Sequence, residues 1–99
     1  MQITVSGRHM TVSDEVKSYC QDKAGRLLRF YDRIQSIELV LGGADGQHSA
    51  EIIVHAEGTH PFVASEQHDD VHAAIDVLMD KVEGQIRRHK ERLRNRKHP

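Results

Sequence analysis

Ninety-nine residues carry fourteen Lys and Arg against fifteen Asp and Glu, a formal net charge of −1, with 37% hydrophobic and 29% charged residues. That composition points to one folded domain with a modest core, residues 1–99, and excludes a disordered chain or a membrane-spanning bundle. Residues 1–20 hold no apolar run behind a basic start, and the single cysteine, Cys20, has no intramolecular partner. A reducing cytoplasm is the compartment this implies.

The near-neutral total hides a separation of charge. Six Lys and Arg lie between Arg8 and Arg33, none between Arg33 and Lys81, where nine acids fall, and seven lie in residues 86–98, IRRHKERLRNRKH. The chain is basic at both ends and acidic in the middle, a pattern that suggests two faces of opposite sign.

In chain order, Gln2 to Ser6 alternates Ile3 and Val5 with polar neighbours and stops at Gly7, a first strand. Ser13 is placed to cap a helix, with Asp14 and Glu15 suited to its positive end. Over residues 14–31, Val16, Cys20, Ala24, Leu27, Leu28 and Tyr31 recur at helical spacing, and Lys23, Arg26, Arg29 and Arg33 project to the other side. Ser36 to Leu41 alternates as a second strand, GGADG at 42–46 is a turn, and His48 to Ala56 is a third strand. Residues 57–60 turn again into a short fourth strand, Pro61 to Ser65. Glu38, Glu51, His55 and Glu57 form the expected outward set, which makes the open sheet surface a poor landing place for nucleic acid.

Asp69 or Asp70 can cap a second helix, in which Val71, Ala74, Ile75, Leu78, Val82, Ile86, His89 and Leu93 keep one stripe. From 70 to about 95 such a helix is ~39 Å long. Strands of ordinary length span ~17–20 Å, so the helix overhangs the sheet. Its polar side runs from Asp76, Asp80 and Glu83 to Arg87, Arg88, Lys90, Arg92 and Arg94, making the overhang the basic half. Lys81, Arg88 and Arg92 form one row; Arg87, Lys90 and Arg94 form a second. The order β-α-β-β-β-α predicts an α+β fold: a four-stranded, largely antiparallel sheet with both helices on one face, basic flanks adjacent.

Enzymatic chemistry finds little support. HDDVH at 68–72 spaces two histidines for a divalent metal, but His68 precedes the cap, and no HExxH or second cysteine is present. His89 reads as a partly buried spacer and Cys20 as a buried thiol. Ser6-Gly7-Arg8-His9 lacks a phosphate-loop pattern, and no nucleophile elbow occurs. No catalytic residue, cofactor or metal is expected. With no Trp and only Tyr19, Phe30, Tyr31 and Phe62 able to stack, an aromatic RNA-binding sheet is excluded too. Arg-rich helices point instead to RNA read through its phosphates and shape. The helix dipole accounts for two or three cations at a helix end, not seven.

MQITVSGRH, VSDEVKSYCQDKAGRLLRFYDRI and DDVHAAIDVLMDKVEGQIRRHKER together resemble the ribosome hibernation-promoting factor family, short ribosome-associated inhibitors of bacteria. Gly7-Arg8-His9 and AAID…DK…Q…RRHK are the most specific pieces. The resemblance implies a fold similar to double-stranded-RNA-binding domains and no enzyme activity. It also implies a seat on the small ribosomal subunit, in contact with 16S rRNA where messenger and transfer RNA would lie. Carried over by position, Arg8, Lys23, Arg26 and Arg29 are contact candidates on a first side, and Lys81, Arg87, Arg88 and Lys90 on a second. Gly84 departs from the pattern, standing where relatives often have a basic residue. The short tail, without the second domain of long family members, places the chain nearer the form that promotes pairing with a second ribosome. Two rival readings share the sequence: a general double-stranded-RNA binder, and a metal protein built on the His-rich segment 48–72.

Overall fold

The computed structural model describes residues 2–96. Its elements are β1 (Gln2–Gly7), α1 (Asp14–Phe30), β2 (Ile34–Ala44), β3 (Gln47–Ala56), β4 (Phe62–His68) and α2 (Val71–Arg96), the expected order. Of the basic tail, Lys97 to Pro99 and the side chains of Asn95 and Arg96 lie outside the described residues.

The four strands lie in sequence order in one sheet. β1 pairs parallel with β2, while β2–β3 and β3–β4 are antiparallel. α1 packs on β1 and β2, and α2 on β3 and β4, so one face of the sheet is covered and the other is open. Strand period sets what each face carries. Val5, Leu39, Ile52 and Ala64 are register partners across all four strands on the covered face. Leu39 and Ile52 have no exposed surface. Cys20, Ala24 and Leu27 of α1 and Ala74, Ile75, Leu78, Val82 and Ile86 of α2 complete that core. Burial pushes the Cys20 thiol up to about 11, which keeps it protonated and unreactive at neutral pH. The Tyr31 hydroxyl is buried without a hydrogen-bond partner among the described residues; its ring meets Phe62 and His89 edge-on.

Several boundaries differ from expectation for local reasons. Ser13 caps α1 as predicted, its hydroxyl accepting from Val16 N–H at 3.3 Å. Asp70 is the cap of α2: its side chain accepts from His72 N–H at 3.0 Å and its carbonyl from Ala74 N–H at 3.0 Å. The turn expected over 42–46 shrinks to Asp45–Gly46, both at positive φ (57° and 80°), between the paired residues Ala44 and Gln47. Two left-handed residues match the twist of a hairpin, and Gly42 and Gly43 thereby stay in the strand. β2 and β3 consequently reach 11 and 10 residues, longer than expected. β4 also runs on, to His68, because β3 offers partners that far. Glu57, assigned to the outward set of β3, sits in the turn after it and donates its N–H to Arg33 O.

The overhang of α2 survives these corrections, for a different reason. Its N-terminal two-thirds is anchored to β4: Lys81 Nζ donates to Ser65 O at 3.0 Å and Gln85 Nε2 to Val63 O at 2.8 Å. These side chains cover carbonyls that the edge strand would otherwise present to solvent. His89 reaches Phe62, the first residue of β4 (ring centroids 5.5 Å apart). Beyond it the strand ends, and Ile86 is the last fully buried residue of the helix among those described.

Candidate nucleic-acid interface

The two helices run side by side in the same direction. Tyr19 of α1 meets His72 and Asp76 of α2, and Phe30 of α1 meets Arg87 and Lys90. The basic side of α1 is therefore not uniformly beside basic residues. Its middle faces the acidic half of α2, where Lys23 and Arg26 line a groove with Asp76, Asp80 and Glu83. Lys23 Nζ lies 3.4 Å from Asp76 Oδ1 and is largely covered, at 24% side-chain exposure. It is turned toward α2 rather than outward, since a carboxylate one helix away attracts it.

The C-terminal end of α1 meets the basic half of α2 through a clasp that sequence reasoning missed. Lys90 Nζ donates to Phe30 O at 2.9 Å and sits 4.4 Å above the Phe30 ring, with the Arg87 guanidinium 5.9 Å from the same ring. A cation at a helix C-terminus answers its unpaired carbonyls and negative dipole, and an aromatic face adds cation–π attraction. The signal in the sequence was an aromatic residue closing a basic helix. The clasp brings Arg29, Phe30, Lys90 and Arg87 together, with Arg26 one turn away. Arg26 and Arg29 are exposed and have no carboxylate within ion-pair range among the described residues, and Arg87 has only a 3.9 Å contact to Glu83.

Lys81 and Arg88 fall on the other flank of α2, toward the β4 edge. Lys81 Nζ is 2.9 Å from Glu66 Oε2, and this contact, foremost, holds the Glu66 carboxyl below its usual range. Arg8 is carried elsewhere again. The Gly7–Met10 turn is tight: Arg8 N–H donates to Leu41 O at 2.7 Å and His9 has φ 59°. Arg8 then passes over Gly42 to Glu51 on the open sheet face, at 3.9 Å. The eight candidates therefore fall into three groups, not one patch. A Cβ on Gly7 would stand 2.2 Å from Met10 O, a clash with backbone. Gly7→Ala is expected to lower stability by about 1–3 kcal/mol, read from thermal melting, and to unseat Arg8.

On the open face, Glu38 pairs with His55 at 3.2 Å, and Val40, Ile53 and Val63 lie among the carboxylates. This face is acidic as expected, with apolar side chains between the carboxylates, except where Arg8 crosses it. Of the His-rich segment, His68 ends β4 and contacts Asp69 at 2.8 Å, while His72 in α2 faces Glu15 at 3.3 Å. No group of three or more metal-ligating side chains occurs among the described residues. No described helix is long and apolar enough to cross a membrane.

Tyr19 ties the two helices. Its hydroxyl donates to Asp76 Oδ1 at 2.5 Å, which raises the phenol to about 12 and holds the Asp76 carboxyl below its usual range. A phenol whose folded pKa is raised contributes stability that is complete below its unfolded value near 10 and lost as pH rises toward 12. Melting temperatures from pH 9 to 12 should show this alkaline loss in the native protein and a flatter profile in Tyr19→Phe.

Residues 3–94 match the family described as Sigma 54 modulation protein / S30EA ribosomal protein. The chain belongs to this family. Among curated members it is 36% identical over 92 residues to Ribosome hibernation promoting factor of Azotobacter vinelandii, spanning 93% of this chain and 85% of the relative. To the protein of the same name from Escherichia coli K12 it is 29% identical, over 95% and 98% of the two chains. Among solved structures of similar proteins, the Thermus thermophilus Protein Y N-terminal domain superposes with a TM-score of 0.81 at 32% identity, covering 90% of this chain and 99% of that one. A ribosomal subunit interface protein from Coxiella burnetii shares the fold, with a TM-score of 0.85 at 23% identity over 92% and 99%. The family's β-α-β-β-β-α arrangement is the one derived from the sequence.

Proposed function

We propose that this protein is a ribosome hibernation factor that inactivates translation by occupancy. It binds the small subunit through the phosphates of 16S rRNA, blocks the channel for messenger and transfer RNA, and promotes pairing with a second ribosome. The observation that carries the reading is the clasp at Phe30, which joins the basic ends of two helices into one cationic surface in a member of this family. RNA phosphates would meet Arg26, Arg29 and Arg87 on the clasp side and Arg88 on the β4 flank. Lys90 acts mainly by holding the surface together, and Lys23 and Lys81 are engaged by Asp76 and Glu66.

The test is sedimentation of the purified protein with ribosomes through a sucrose gradient. Co-migration with small subunits and intact ribosomes supports the reading, and a heavier peak beyond single ribosomes supports pairing. Protein left at the top of the gradient at low salt would refute ribosome binding. Displacement from ribosomes by excess duplex RNA would favour a general double-stranded-RNA binder instead.

A further inference from the structure

Gly84 stands in the interior of α2, where glycine disfavours the helix relative to alanine. Packing does not require it: an added Cβ would meet nothing nearer than Arg88 Nη1 at 3.7 Å. Its φ is not among the positive ones either. What the missing side chain does is leave a gap in one wall of an open groove, about 510 Å³, between α2 and the β4 edge. The groove is fixed by the hydrogen bonds of Lys81 and Gln85 to β4 carbonyls.

Its chemistry differs from that of the helix cations. Asp80 and Glu51 line it, and among the described residues Asp80 has no ion-pair partner while Glu51 has only the 3.9 Å contact with Arg8. Lys81 is occupied by Glu66 and Ser65 O. Arg88 has no carboxylate partner among the described residues and lies over Gly84, and Val63, 50% exposed, supplies an apolar surface. Unpaired carboxylates repel a phosphate, so the groove is not a phosphate site. A planar ligand fits it better, stacking on a guanidinium and donating hydrogen bonds to a carboxylate.

We infer that this groove receives an unstacked, amino-bearing nucleobase of single-stranded RNA, with the face of the Arg88 guanidinium as stacking platform, its N–H edge left at the rim for a backbone phosphate, and Asp80 as acceptor for the exocyclic amine. Guanidinium stacking and edge hydrogen bonding are how proteins read splayed-out bases, and Asp or Glu accepts from the cytosine N4 amine. Uracil, which presents a carbonyl at that position, is disfavoured. The inference rests on the RNA-binding reading above and adds base preference to a surface that otherwise reads only phosphates.

Labelled cytidine and uridine dodecamers, titrated separately against the full chain by fluorescence anisotropy, test it. The native protein should bind the cytidine strand roughly tenfold tighter. Gly84→Leu, which fills the gap, and Asp80→Asn should each bring the ratio to about one, while Gly84→Leu melts no lower than the native protein. Equal binding of both strands by the native protein, or a preference that survives either variant, would overturn the proposal. Ribosome sedimentation separates this from the broader reading. Co-migration with a ratio of one refutes only the base site, and a clear ratio without co-migration refutes only the ribosomal role.

Discussion

Raising salt from about 50 to 200 mM should weaken ribosome binding by ~10³-fold if six phosphate contacts form, because each one releases condensed counterions. The surface supplies enough cations: Arg26, Arg29, Arg87, Arg88, Arg92 and Arg94 are all exposed. On a plot of log affinity against log salt, each contact contributes a slope of roughly −0.7 to −0.9. Arg87→Glu/Arg88→Glu removes two contacts and sets two negative charges against RNA. The double variant should therefore lose affinity steeply at low salt and show a slope shallower by about two. Both residues are exposed on α2, and neither packs in the core, so the melting temperature should hardly move. Sedimentation at four or five salt concentrations, with native and variant protein, gives both slopes. A nearly flat response of the native protein would rule out phosphate neutralisation as the source of affinity.

The second large effect falls on stability. Leu39 has no exposed surface and lies on central strand β2, between its register partners Val5 and Ile52 on the face that both helices cover. Leu39→Ala removes buried methyl groups and leaves a cavity that a strand paired on both sides cannot collapse, a loss of about 3–5 kcal/mol. In a domain of this size each kilocalorie shifts the melting temperature by roughly 4–8 °C, so a drop of more than about 12 °C is expected in a calorimetric scan. At temperatures where the variant remains folded, its ribosome affinity should match the native protein's, since none of the exposed cations touches Leu39. A drop of under 3 °C would mean that the row Val5–Leu39–Ile52–Ala64 is not the core's centre.

Periodicity, together with cap and turn signals, located all six elements and most of the core. Ile37, Leu39 and Leu41 recur every second residue, and Ala74, Ile75, Leu78, Val82 and Ile86 every third or fourth, because burial on one face imposes the period of the backbone. Strand ends were less legible. The second and third strands run through Gly42 and Gly43 because the Asp45–Gly46 hairpin sets the register, and pairing across a sheet overrides the turn preference of single residues.

The basic surface was half legible. Sequence determined which residues are cations and placed the basic end of α2 past the end of the sheet, which holds for Lys90, Arg92 and Arg94 beyond His89 but not for Arg88, which lies beside β4. It did not determine which cations remain available, because that depends on what each one meets across an interface. The parallel run of the two helices sets Lys23 against Asp76 and Lys90 against Phe30, and the edge of β4 sets Lys81 against Glu66. The tight Gly7 turn sends Arg8 to the opposite face of the sheet. Charge and period are properties of the chain taken locally, so the sequence by itself determined the fold, the core and the sign of each helix end. Pairing among charges distant in the chain is a property of packed elements, and only the tertiary structure decided which cations face solvent.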